Sequence, residues 1–299
     1  MKKFKSMHRG KSIHSVASTI GNSGSDIESK IDKVIKEAMK ISMKESIKLD
    51  LSKASIDRKE DEKKYLTKSK IGGIPYWPED MKWPMYKNEP MVMIAQINFS
   101  EMPKLKGYPN KGLLQFFVLS VVYSDYKDPK SIKCVYHTDL KKKQSNDIMK
   151  STYDDEWSGY DDFPFDGCFP VTPKLQNTYV NLACEEEWDD IMNPITKKVF
   201  GCKVRELPRE VSYSLYNKMS HMDDGDWWHK SRIGGYPYFA QNDTRGYHYN
   251  DYDLLLQIDS YGSNGNIMWA DSGIAHFFIK KSDLGKLDFN NVKFEWDCY

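Results

Sequence analysis

With 299 residues, 39% of them hydrophobic, the chain is long enough to bury a substantial core. Forty aromatic residues (8 Trp, 19 Tyr, 13 Phe) exclude wholesale disorder, and only eight alanines favour strands over a helical bundle. A formal net charge of +1 excludes a uniformly basic nucleic-acid binder, and no run of about 18 apolar residues is present to cross a membrane. Neither nucleic acid nor a membrane is therefore an expected partner.

The five cysteines (Cys134, Cys168, Cys184, Cys202 and Cys298) are odd in number, widely spaced and without a CxxC pair. This argues against a disulfide framework or structural zinc, and for a reduced, cytoplasmic protein. Residues 1–25 carry five basic side chains, six serines and no acid. They read as a disordered basic extension, with an organelle-targeting segment as the alternative. Ser25-Asp26-Ile27-Glu28 is a capping-box pattern. After it, Ile27, Ile31, Val34, Ile35, Ala38 and Ile41 recur at helical spacing, predicting an amphipathic helix over about 26–45 that packs on its own sheet.

Residues 68–77 (KSKIGGIPYW) open the next block. Their paired glycines permit positive φ, and the proline two positions on stiffens the exit. Short apolar runs at 94–98, 112–118 and 132–136 follow and read as strands. Residues 151–190 then hold eleven acids and one base, Lys174, interleaved with Trp157, Phe163, Phe165 and Trp188. Such aromatic content marks folded surface rather than a solvated tail. Residues 1–70, with 18 basic and 10 acidic side chains, offer an internal counterweight. A shorter helix is predicted over 209–221, opened by Pro208.

Residues 230–239 (KSRIGGYPYF) then repeat 68–77 at an offset of 162. Residues 255–259 match 94–98 and 273–279 match 112–118 at 161, and 292–296 match 132–136 at 160. Four blocks in the same order read as an internal duplication. No helical pattern separates the strands within a copy, so antiparallel connections are expected. The predicted fold is α+β: two repeats, 68–137 and 230–299, in mainly antiparallel sheets with pseudo-twofold symmetry, preceded by the N-terminal helix. On this reading residues 26–299 form one domain, with an acidic–aromatic insertion over 138–207.

The runs Leu254-Leu255-Leu256-Gln257-Ile258-Asp259 and Ile267-Met268-Trp269-Ala270-Asp271-Ser272-Gly273, the closing Trp296-Asp297-Cys298, and Ser69 to Pro78 carry a family pattern. Over roughly residues 50–299 the chain resembles the YwqG-like family of uncharacterised proteins. The resemblance implies a duplicated, strand-rich α+β fold in a soluble cytoplasmic protein, and no activity. Some relatives resemble members of toxin–immunity gene neighbourhoods, which implies a binding role. Where that family more often has glycine, this chain has Ala270.

Three places are candidates for chemistry. Gln96 with Asn98, and Gln257 with Asp259, occupy equivalent strand positions. Period-two alternation points them away from Met93, Ala95 and Ile97, or from Leu254, Leu256 and Ile258. Together with Trp269 and Asp271 they would line a groove between the repeats, unless each amide merely satisfies nearby backbone. His221, Asp223, Asp226 and His229 form the best metal-ligand cluster, but their spacing matches no EF-hand or HExxH pattern and a solvated turn is favoured. Ser272 and His276 beside Asp271 do not make a triad, since no Gly-x-Ser-x-Gly elbow exists and Gln115 stands opposite His276 in the first copy. No catalytic residue and no cofactor is indicated. The function expected is a non-enzymatic binding protein, possibly of the immunity type. It would engage a basic protein partner through Trp157, Asp161, Asp162 and Trp188. The alternative is an enzyme or a small-ligand or metal-binding protein with its site at the interface of the repeats.

Overall fold

The computed structural model describes residues 24–52, 54–119, 128–154, 163–220, 231–241, 243, 245, 251–261 and 266–299. The chain divides into two compact units: Met1–Lys44 with Thr178–Trp227, and Glu45–Asn177 with Trp228–Tyr299.

The first unit is helical. Helix α1 (Gly24–Ser42) buries Ile27, Ile31, Val34, Ile35 and Ala38, which are the residues of the predicted stripe. The stripe packs against two further helices, α2 (Glu185–Phe200) and α3 (Arg209–Ser220), where a sheet was expected. Helix α2 reads as acidic surface in sequence, yet Trp188, Met192 and Ile195 recur at helical spacing and are buried. Its run of acids occupies the first turns, where carboxylates complement the partial positive charge of a helix N-terminus. Gly201, at φ +79°, ends it by donating its N–H to the Lys197 carbonyl at 3.0 Å. Among the described residues no helix is long and apolar enough to cross a membrane.

Among the described residues, the second unit is built on a ten-stranded antiparallel sheet. Its strands are β1 (Lys44–Leu51), β2 (Lys70–Gly72), β5 (Val92–Asn98), β6 (Leu113–Val118), β7 (Ile132–His137), β8 (Cys168–Thr178), β9 (Arg232–Gly234), β10 (Tyr252–Asp259), β11 (Ile274–Lys280) and β12 (Lys293–Asp297). The order across the sheet is β12-β11-β10-β9-β1-β8-β2-β5-β6-β7. A small separate hairpin is formed by β3 (Met85–Tyr86) and β4 (Glu89–Pro90). Two arms, β2-β5-β6-β7 and β9-β10-β11-β12, thus flank the central pair β1 and β8. The sheet curls until the arms face each other, nearly closing into a barrel: Phe116 of β6 and Phe277 of β11 lie with ring centroids 4.8 Å apart. Ile47, Leu49, Ile97, Leu114, Ile258 and Trp269 fill the enclosed core. The outer face of β5 and β6 is covered in turn by Trp77, Trp83 and Tyr86, packed on Met93 and Phe117.

One detail departs from simple alternation. The β5–β6 register shifts between Met93 and Ala95, and the β10–β11 register shifts between Leu254 and Leu256. Each shift is a β-bulge, which inserts one residue and reverses the faces on one side of it. Met93 therefore lies on the outer face with Phe117, while Ala95 and Ile97 join the enclosed core. Period-two reading placed all three together.

Candidate functional site

Buried polar side chains gather beneath the two Gly-Gly turns. Gly72 and Gly73 have φ of +71° and +82°, and Gly234 and Gly235 have +71° and +75°. This left-handed backbone is open to glycine at little cost and turns each following segment back over the sheet. In the first arm the returning backbone meets Gln96. Its Oε1 accepts from the Tyr76 N–H at 3.1 Å, and its Nε2 donates to the carbonyls of Leu66 and Lys68, both at 2.9 Å. Gln115 donates from Nε2 to Gln96 Oε1 and to the Tyr76 carbonyl, both at 2.8 Å. His137 closes the chain by placing Nε2 2.7 Å from Gln115 Oε1. Since the Gln115 oxygen only accepts, the imidazole carries its proton on Nε2. Desolvation pushes the His137 pKa down to about 4, keeping the ring neutral.

The second arm shows part of the same arrangement among the described residues. Gln257 Oε1 accepts from the Tyr238 N–H at 3.0 Å, and His276 donates from Nε2 to the Tyr238 carbonyl at 2.7 Å. His276 is fully buried between Phe239 and Phe278, and burial lowers its pKa to about 3. Asn98 and Asp259 each donate their backbone N–H at 3.0 Å, to the hydroxyls of Ser69 and Ser231 respectively. Gln96 and Gln257 are wholly buried, each with its amide oxygen taken by the returning backbone. Trp269 is also fully buried, its backbone N–H on Ser260 Oγ at 2.9 Å. Its indole N–H has no partner among the described residues. Asp271 is exposed and its carbonyl accepts from the Tyr299 N–H at 3.0 Å.

A buried ion pair stands beside the first turn. Lys70 and Asp61 have side chains 0% exposed and lie 2.5 Å apart, Nζ to Oδ1. Lys70 also donates to the Ile74 carbonyl at 2.6 Å, and Asp61 Oδ2 accepts from the Ile74 N–H at 2.6 Å. A Cβ at Gly73 would collide with the Asp61 carboxylate, so the glycine makes room for the acid. Desolvation pulls the Lys70 pKa down, opposed by its carboxylate partner. The adjacent Cys168 thiol is pushed up to about 12, first by burial and then by Asp61. It is therefore an inert core thiol rather than a nucleophile. The fitness of the residue types for this role was invisible one position at a time; the only signal was an acid nine residues before the lysine of the turn.

The remaining candidates are apart from this region in sequence. Trp188 is 3% exposed and presents no ring to solvent. From the 3-10 turn Val204–Glu206, Arg205 reaches back to Asp189 at 2.7 Å and to Glu185 at 3.5 Å, both on the helix that carries Trp188. Trp157, Asp161 and Asp162 lie outside the described residues, as do His221, Asp223, Asp226 and His229. Among the described residues no three His, Cys, Asp or Glu side chains are grouped to hold a metal ion.

Comparison with curated proteins finds no match for the chain. A family model does match, over residues 69–298, which spans both Gly-Gly turns, both arms of the sheet and the helices between them. The chain belongs to the family described as a domain of unknown function (DUF1963).

Proposed function

We propose that the protein is a non-enzymatic, cytoplasmic binding protein of the YwqG-like group. It engages a basic protein partner through its acidic–aromatic segment, residues 151–190, as an immunity protein would mask a basic toxin. The observation that carries this reading is the charge pattern: eleven acids against Lys174 alone, with aromatic residues between them. Like charges gathered this densely raise the energy of the folded chain unless a cation offsets them, and they steer a basic partner toward the surface. Within the segment, Glu185 and Asp190 are exposed on the opening turns of α2.

We further propose that the two arms arose by duplication. Supporting this are the same strand order in each arm, a bulge at the same place in β5 and β10, and matched bonds from Gln96 and Gln257 to the backbone after each turn. The sequence offset that relates Lys70 to Arg232 also carries Asp61 onto Asp223.

The test of the binding reading is a tagged pull-down from the native lysate at low and high salt. It should return a stoichiometric basic protein that is lost at high salt. With the purified pair, Asp161→Lys/Asp162→Lys should weaken affinity at least tenfold and flatten its salt dependence. Unchanged affinity in the charge-reversed protein would reject the reading.

A further inference from the structure

Helix α1 buries one stripe and leaves the end of another open. Beyond Ile35, its C-terminal half continues with Met39 and, just past the helix, Met43, and these three line an open groove together with Tyr179. Met43 is 54% exposed. Methionine floors are deformable and suit a flexible apolar guest. The groove holds about 390 Å³, at the lower end of the roughly 300–1,000 Å³ typical of small-molecule clefts.

Its rim is cationic. Lys36 and Lys40 line it, one helical turn apart, and neither has an ion-pair partner among the described residues. The other basic group at the groove, Lys218, is already neutralised, at 2.9 Å from Glu28 and 2.7 Å from Asp32. Asp32, the one acid of the lining, is consumed by that contact. The surplus at the rim is thus two ammonium groups over an apolar floor.

We propose that this groove binds a free, medium-chain aliphatic carboxylate. The tail lies on Ile35, Met39, Met43 and Tyr179, and the carboxylate sits between Lys36 and Lys40. Four apolar side chains are far short of the roughly 800 Å² per partner that a stable protein interface needs, which favours a small guest over a docked protein. Charge selects among small guests: the rim matches an anion and repels a cation. It also repels the chain's own N-terminus, whose first 25 residues carry five basic side chains and no acid. The inference is independent of the acidic segment and of the partner proposed for it.

The experiment uses the full chain with ¹³C-methyl-labelled methionine, Met39 and Met43 being assigned through Met→Leu variants. Decanoate is titrated below its micelle concentration, with decanol and decyltrimethylammonium as neutral and cationic counterparts. The expected result is saturable movement of the Met39 and Met43 methyl signals with decanoate. Affinity should be at least tenfold weaker for either counterpart, and at least tenfold weaker in Lys36→Glu/Lys40→Glu. Lys36→Gln/Lys40→Gln, which removes the charge without adding repulsion, keeps the test open if the first variant does not fold. Equal binding of decanol, unchanged affinity in the neutralised variant, or no saturable shift would each overturn the proposal. So would signals that answer only to anionic vesicles or to an acidic peptide.

Discussion

Gln115 and His276 solve the same problem with different side chains. Each places a donor nitrogen on the carbonyl of the tyrosine that follows a Gly-Gly turn, at 2.8 Å from Tyr76 and 2.7 Å from Tyr238. The amide stays uncharged at any pH, whereas the imidazole becomes a buried cation when it is protonated. His276 titrates near pH 3 in the folded chain and near 6.5 when unfolded, so the unfolded state takes up protons first as the pH falls. The stability that the neutral ring contributes is present above about pH 6.5 and is lost progressively below it. His276→Gln should therefore fold, retain the bond to Tyr238, and lose about 2 kcal/mol less than the parent between pH 7 and pH 5. Urea midpoints at the two pH values measure this. His137, depressed to about 4, continues to destabilise both proteins over the same window. Ala270 is a second residue-scale case. It is exposed with φ at +49°, a conformation costing an L-residue about 1–2 kcal/mol. Ala270→Gly should raise stability by about 1 kcal/mol in chemical denaturation, since no buried contact is given up.

The first Gly-Gly turn is anchored by a carboxylate from outside its own strand. Asp61 lies in the helical turn Asp61–Tyr65 and holds both Lys70 and the Ile74 N–H. Removing one member of a wholly buried pair leaves the other charge without compensation, a loss of about 3–5 kcal/mol. Asp61→Ala should show that loss in unfolding midpoint, and adding Lys70→Met should recover part of it. A double variant no more stable than the single would mean the ion pair is not what Asp61 contributes. Most elements were legible. The strands read at 94–98, 112–118 and 132–136 appear as β5, β6 and β7, and the helix read over 209–221 appears as Arg209–Ser220. Others were not. Strand β1 follows α1 almost without a break, so the helical period ran into it although Ile47, Leu49 and Leu51 alternate cleanly. Helix α2 was hidden by five acids and by Pro194 within it. The bulges in β5 and β10 left no sequence mark, because a bulge is a property of pairing between strands rather than of one strand. The glutamines were readable as a matched pair, but not their complete burial, which depends on segments that fold back over them.

At the scale of the whole chain, the two arms do not pair with each other in the sheet; β1 and β8 stand between them. Strand β1 comes from the beginning of the chain and bonds to β9 through Ser46–Gly234, Ile47–Ile233 and Lys48–Arg232. On a ribosome adding about 5–20 residues per second, β9 follows β1 by roughly 10–40 seconds. Over that interval the first arm and β8 can assemble, while the free edge of β1 presents unpaired backbone to whatever is nearby. The centre of the finished sheet is thus an outer edge until β9 is made. The nascent protein is therefore open to mispairing at a strand that later lies between two neighbours in the middle of the sheet.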